Sequence, residues 1–255
     1  FCVTLIILLA LGNNIRAQIG GLNAEFAGGG ARALAMGGAF IALADDATAT
    51  EFNPAGLWQL RTPEVAAQFI YSRDTRDLFR NGPSALENRS IVREDVDHYA
   101  FPSFFSIVYP MKELTIGISE FSNIYFDRSH KDFEFYIDPR TMDIVRIPLE
   151  FSERAENYAF GLTLARGFTD RLSMGATVRY NHFEYSFHEG DYGKEYGFTS
   201  EAFSANAGLI YRLNPHWRVG VVYKSQQEIQ GSYGRIKVDT VLPDTIGAGM
   251  AFLPN

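Results

Sequence analysis

From residue 62 onward the chain keeps a period of two, and its two parities carry different chemistry. In 171–181, Leu172, Met174, Ala176, Val178 and Tyr180 alternate with Arg171, Ser173, Thr177, Arg179 and Asn181. Phe203, Ala205, Ala207, Leu209, Tyr211 and Leu213 oppose Ser204, Asn206, Gly208 and Arg212. Trp217, Val219, Val221 and Tyr223 oppose Arg218, Gly220 and Lys224, and Ile246, Ala248, Met250 and Phe252 oppose Gly247, Gly249 and Ala251. Tyr158, Phe160, Leu162 and Leu164 repeat the pattern, and rougher versions cover about 63–72, 98–110 and 113–126. Successive strand residues point to opposite faces. The expectation is about eight strands, each with one apolar face and one face of small, polar or charged residues.

Alternation alone also fits a secreted sandwich or a soluble barrel. The connections separate the alternatives. Short ones sit near Pro110-Met111-Lys112, Gly167-Phe168-Thr169 and Asn214-Pro215-His216; long ones run about 73–97, 127–153, 188–199 and 230–243. Tight turns on one side and long loops on the other are expected of outer-membrane barrels. Tyr109, Phe168, Tyr180, Tyr211, Trp217 and Tyr223 gather near strand ends, as interfacial girdles do. No stretch after residue 17 approaches the ~20 apolar residues of a membrane helix, so a spanning chain must cross with strands. The fold class expected is all-β, an antiparallel outer-membrane β-barrel.

The N-terminus reads as a leader. Residues 3–11, Val-Thr-Leu-Ile-Ile-Leu-Leu-Ala-Leu, have the length of a signal-peptide core, and Ile15-Arg16-Ala17 offers a cleavage site before Gln18. Residues 1–17 are therefore expected to be a signal peptide. Cys2, the only cysteine, falls inside it, which leaves no disulfide or cysteine metal site. Removing Arg16 takes the net charge from −7 to −8, a poor balance for nucleic acid.

Residues 18–60 differ in composition. The run Gly28-Gly29-Gly30-Ala31-Arg32-Ala33-Leu34-Ala35-Met36-Gly37-Gly38-Ala39 packs closely and makes a poor free-standing helix. It lacks the Lys-Ser/Thr ending of a phosphate loop. Asp45 and Asp46 stand ahead of a short helix as N-cap candidates. Asn53-Pro54 stops that helix and starts another turn.

Residues 30–57 combine the small-residue run, an Asp-Asp-Ala step and Asn-Pro-Ala-Gly-Leu. In this they resemble the N-terminal signature of the FadL-like outer-membrane transporters. That superfamily includes long-chain fatty-acid and aromatic-hydrocarbon channels and the PorV-like proteins of type IX secretion. The resemblance implies a 14-stranded barrel plugged by its N-terminal segment, with hydrophobic substrates leaving sideways into the membrane. Eight-stranded barrels fill their interior with side chains and have no room for a plug. Three regions are expected: signal peptide 1–17, plug segment 18–60, and a C-terminally truncated transmembrane barrel over 61–255. The plug motif is Gly37, Gly38, Asp45, Asp46, Asn53 and Pro54, the glycines serving close packing in the lumen.

Among other candidates, His182, Glu184 and His188 share a strand face near Glu189, but polar residues above a membrane make the same pattern, and no metal site is assigned. No Ser or Cys has an evident His and acid partner, so no catalytic residue or cofactor is assigned. In 127–153, Phe133 and Phe135, then Ile147 and Leu149 after a turn at Asp138-Pro139-Arg140-Thr141, suggest a hairpin with one apolar face for a hydrophobic ligand. The function expected is passive uptake of hydrophobic compounds such as long-chain fatty acids, with outer-membrane lipid and apolar small molecules as partners. The alternative is a PorV-like protein that binds secreted proteins.

Overall fold

The computed structural model describes residues 30–80, 90–137, 144–189, 194–233 and 236–254. The expected signal peptide lies outside them. Eight strands form one antiparallel sheet, curled into a half-barrel: β1 (Glu64–Arg80), β2 (Ser90–Pro110), β3 (Thr115–Ile137), β4 (Ile144–Gly167), β5 (Leu172–Glu189), β6 (Lys194–Arg212), β7 (Trp217–Lys224) and β10 (Thr245–Phe252). Each pairs with its neighbour in chain order, and β1 and β10 are the sheet's edges. Between β7 and β10 a separate hairpin is formed by β8 (Gln227–Tyr233) and β9 (Ile236–Leu242). Much of the expected long loops is therefore strand. No helix among the described residues is long and apolar enough to cross a membrane.

The sheet is inside-out relative to a soluble protein. Its convex face exposes Val65, Phe69, Phe105, Ile107, Phe160, Leu162, Val178, Phe203, Ile246 and Met250, with Phe69, Phe203 and Ile246 at 76%, 75% and 77%. Its concave face buries Ser106, Thr115, Ser119, Thr163, Ser173, Thr177, Arg179, Asn181 and Asn206. A sandwich would bury the first set and expose the second. A continuous apolar band of this size needs a nonaqueous neighbour. On β6 the band runs from Phe203 to Tyr211, about 26 Å along a strand at ~3.3 Å per residue. Tilt brings that close to the ~25 Å band of membrane barrels. Tyr109, Phe168, Tyr211, Trp217 and Phe252 ring the turn end and are all exposed.

This layout fixes an expected orientation, turns inward to the periplasm and long strand ends outward. A membrane-impermeant thiol reagent on intact cells should label Glu195→Cys, on the exposed far end of β6. It should miss Lys112→Cys in the β2–β3 turn until the outer membrane is permeabilised. The reverse pattern would overturn this orientation.

Candidate functional site

Residues 30–60 lie against the concave face. They form helix α1 (Ala31–Ala35), helix α2 (Ala49–Phe52) and a 3₁₀ helix, Pro54–Gln59. Ala33, Phe40, Ala44, Ala47, Ala49, Ala55, Leu57 and Leu60 pack with Val108, Ala165 and Ile210 of the wall. Small residues here let the backbone approach the sheet. A methyl group added at Gly175 would lie 2.5 Å from the Pro54 carbonyl carbon and 2.7 Å from the Ala55 nitrogen, and one at Gly208 would overlap the Asn53 side chain.

Polar groups seat this segment against the wall. Asn53 caps the 3₁₀ helix by accepting from the Ala55 N–H at 3.2 Å, as its sequence position indicated, with Pro54 at the first position. Its amide also donates to the carbonyls of Ile41 (2.8 Å) and Leu209 (3.2 Å), which ties the turn to β6. Glu51, buried, sits 2.5 Å from the Arg179 guanidinium and 2.6 Å from the Lys224 ammonium. Arg179 also donates to Asn206 Oδ1 at 2.7 Å and the Thr50 carbonyl at 3.3 Å. Thr177 donates to the same carbonyl at 3.1 Å, and Ser106 to the Ala47 carbonyl at 3.0 Å. The wall's polar face thus satisfies backbone that would otherwise be buried without partners.

Gly37 and Gly38 have φ of +63° and +81°, and a methyl group added at either would meet nothing within 4 Å. They supply the left-handed backbone conformation after α1. Thr48, not an aspartate, is the N-cap residue of α2. Asp46 accepts from the Thr48 N–H (2.9 Å) and hydroxyl (2.5 Å) one turn earlier, while Asp45 pairs with Arg32 at 2.7 Å.

The wall has a break. Pairing of β2 with β3 runs from Pro110–Thr115 only to Phe104–Phe121, though both strands continue well beyond. A bulge stands on each side of this point, at Ser103 on β2 against β1 and at Asn123 on β3 against β4. Pro102 has no N–H to give a ladder, and bulges bend strands apart. Phe104, Phe121 and Ala159 cluster beneath the break. Above it Phe101 stacks on Tyr125 with ring centroids 4.4 Å apart.

The Asn123 bulge also sets the pairing of the strands beyond it. Below it Phe121 faces Ala159, and an unbroken register would set Phe133 opposite Ile147. The extra residue shifts the pairing by one, so Phe133 faces Pro148, Phe135 faces Arg146, Ile147 faces Glu134 and Leu149 faces Asp132. The side chains of these four positions lie outside the described residues. The turn at Asp138-Pro139-Arg140-Thr141 lies outside the described residues.

The β8–β9 hairpin turns toward the concave side. Gln227 donates to Asn157 Oδ1 at 3.1 Å, the Gln230 N–H donates to Ser200 Oγ at 2.8 Å, and Ile229 packs with Ile124, Ala155 and Phe183. Between the hairpin and the N-terminal segment lies a cavity of about 640 Å³. Phe52, Phe121, Ala159, Val222 and Leu242 give it apolar walls; Glu51, Arg179 and Lys224 form a charged floor. His182 lies 3.8 Å from Glu201, and among the described residues no group of three His, Cys, Asp or Glu converges as a metal site.

Residues 28–236 match the family described as TonB dependent receptor-like, beta-barrel. The chain belongs to that family. Among solved structures, this family member is similar to the Ralstonia pickettii toluene transporter TbuX: 18% identity, TM-score 0.66, over 90% of this chain and 69% of TbuX. It is also similar to the CymD monoaromatic hydrocarbon channel: 15% identity, TM-score 0.50, over 85% of this chain and 59% of CymD. A Pseudomonas aeruginosa FadL homologue aligns at 13% identity and TM-score 0.49, over 79% of this chain and 52% of its own. A comparison with curated proteins finds no match. The barrel-family match and the first two likenesses agree on an outer-membrane β-barrel fold, located in the outer membrane of a Gram-negative bacterium.

Proposed function

We propose that this protein is a passive outer-membrane channel for hydrophobic compounds, which leave its lumen sideways between β2 and β3. The observation that carries this reading is the continuity of cavity and wall break. Phe121 lines the cavity and is the last β3 residue paired with β2. An apolar solute in the cavity is thus one side chain from a place where no ladder of hydrogen bonds bars the way to lipid. The process is transfer without reaction. Apolar burial is worth ~25 cal/mol per Å², so a small aromatic that buries on the order of 150 Å² gains about 4 kcal/mol. That is enough to collect it from dilute solution and little enough to release it. TbuX and CymD carry toluene and monoaromatic hydrocarbons in their names, and those compounds are the first to test here. Long-chain fatty acids are the second. Nothing in this geometry favours a secreted protein as the partner.

Ala159 is buried beneath the break and lines the cavity. In cells that express the full-length protein, Ala159→Trp should lower toluene uptake roughly tenfold or more, since ~1.4 kcal/mol is one decade of affinity. Ala176→Trp, on the exposed outer face of β5, should leave it near the parent rate. Unchanged uptake in a correctly assembled Ala159→Trp protein would sink the proposal.

A further inference from the structure

Below the plug, at the turn end of the sheet, lies a second cavity of about 440 Å³. Four arginines line it. Arg212 ends β6, Arg218 is the second residue of β7, Arg171 precedes β5, and Arg61 follows the plug. Parity puts the wall arginines on the concave side, two residues from buried Ser173, Ile210 and Gly220. Asp170 is the one carboxylate residue in the lining. Arg212 and Arg218 are direct register partners, and like charges directly opposite each other are destabilising. Among the described residues none of the four arginines forms an ion pair. Arg218 donates through Nη1 to Gln59 Oε1 at the foot of the plug, while its buried Nε has no hydrogen-bond partner. This is a cluster of cations with donors to spare, gathered around one recess.

We propose that this mouth binds a small soluble oxyanion of the phosphate type, held by Arg61, Arg171, Arg212 and Arg218 against the foot of the plug. Guanidinium forks match such oxyanions in bidentate geometry. A free anion fits better than a lipid headgroup because the arginines face the concave side, whereas the lipid-facing side at this level carries Tyr109, Tyr211 and Trp217. The bound anion cancels the repulsion between Arg212 and Arg218. It also bridges the wall to Arg61 and, through Arg218, to Gln59, so it stabilises the seated plug. A ligand that binds only the seated state raises stability by mass action.

The probe is inorganic phosphate, added to the purified full-length protein at ionic strength matched with chloride. Phosphate should raise the unfolding midpoint saturably, and chloride should not. Arg212→Gln and Arg218→Gln should each weaken phosphate binding about tenfold or more by calorimetry. Arg212→Gln should also raise the midpoint in phosphate-free buffer, because it relieves the paired charges; a merely structural arginine would lower it. Lys112→Gln, at the same end but outside the cavity, should leave the phosphate response intact. Should either arginine variant fail to assemble, Arg61→Gln, at an exposed position, takes its place. An equal response to chloride, or a wild-type phosphate response in the arginine variants, overturns the proposal.

Discussion

Arg179→Ala is expected to unseat the plug and make the assembled protein leak small polar solutes. The substitution removes the 2.5 Å ion pair with Glu51 and the bonds to Thr50 and Asn206. Glu51 then keeps Lys224 as its counter-ion, on a side chain 34% exposed. Removing one partner of a buried pair costs ~3–5 kcal/mol because the other charge stays buried. A segment of about 30 residues held by a handful of such contacts does not tolerate that loss. The companion is Glu51→Leu with Arg179→Met. It removes both buried charges and leaves Lys224 able to reach water, so it should leak less than Arg179→Ala alone. Influx of a small sugar into proteoliposomes reads the difference, with heat-modifiable gel migration as the check on assembly. Equal leakage from single and double variants would show that charge pairing is not what seats the plug.

Gly175→Val is expected to produce the same open state from the opposite direction, by excess volume. Its first added carbon would stand 2.5 Å from the Pro54 carbonyl carbon and 2.6 Å from its oxygen. Those atoms are backbone in a capped turn and cannot swing aside. Overpacking typically costs ~1–3 kcal/mol where side chains can adjust, and more is expected here. Ala55, fully buried in the parent, provides the readout. A cysteine at Ala55 should resist a water-soluble thiol reagent in the parent and react in Gly175→Val. Ala176→Val, the next residue but on the outer face, should keep it protected. Protection in both variants would mean that the plug does not rest on β5 through Gly175.

The wall was legible in the sequence because a membrane sheet separates its chemistries by parity. All eight strands of the sheet correspond to stretches where apolar and polar residues alternate. The rough strands at 98–110 and 113–126 were rough for a reason: Ser103 and Asn123 are extra residues that switch parity partway along. The β8–β9 hairpin was missed because its inward turn sets Ile229 against the lumen, and its polar residues read as an outer loop. In the plug, Asn53-Pro54 showed its role through local geometry. Glu51 did not, because its partners Arg179 and Lys224 are set by the curl of the sheet and not by any spacing along the chain.

The seat of the plug also dictates an order of events. Thr50 and Glu51 find partners in Thr177 and Lys224, 127 and 173 residues further along. A segment that leaves the ribosome before the wall strands is therefore among the last to settle. Contacts so distant in sequence form late because the intervening loop must close first. Until β5, β6 and β7 stand side by side, Glu51 has no cations to meet and stays hydrated. The seated segment is then itself a record that this part of the wall has been built correctly. A strand inserted out of register would leave the segment dangling, exposed to whatever proteases police the far side of the membrane.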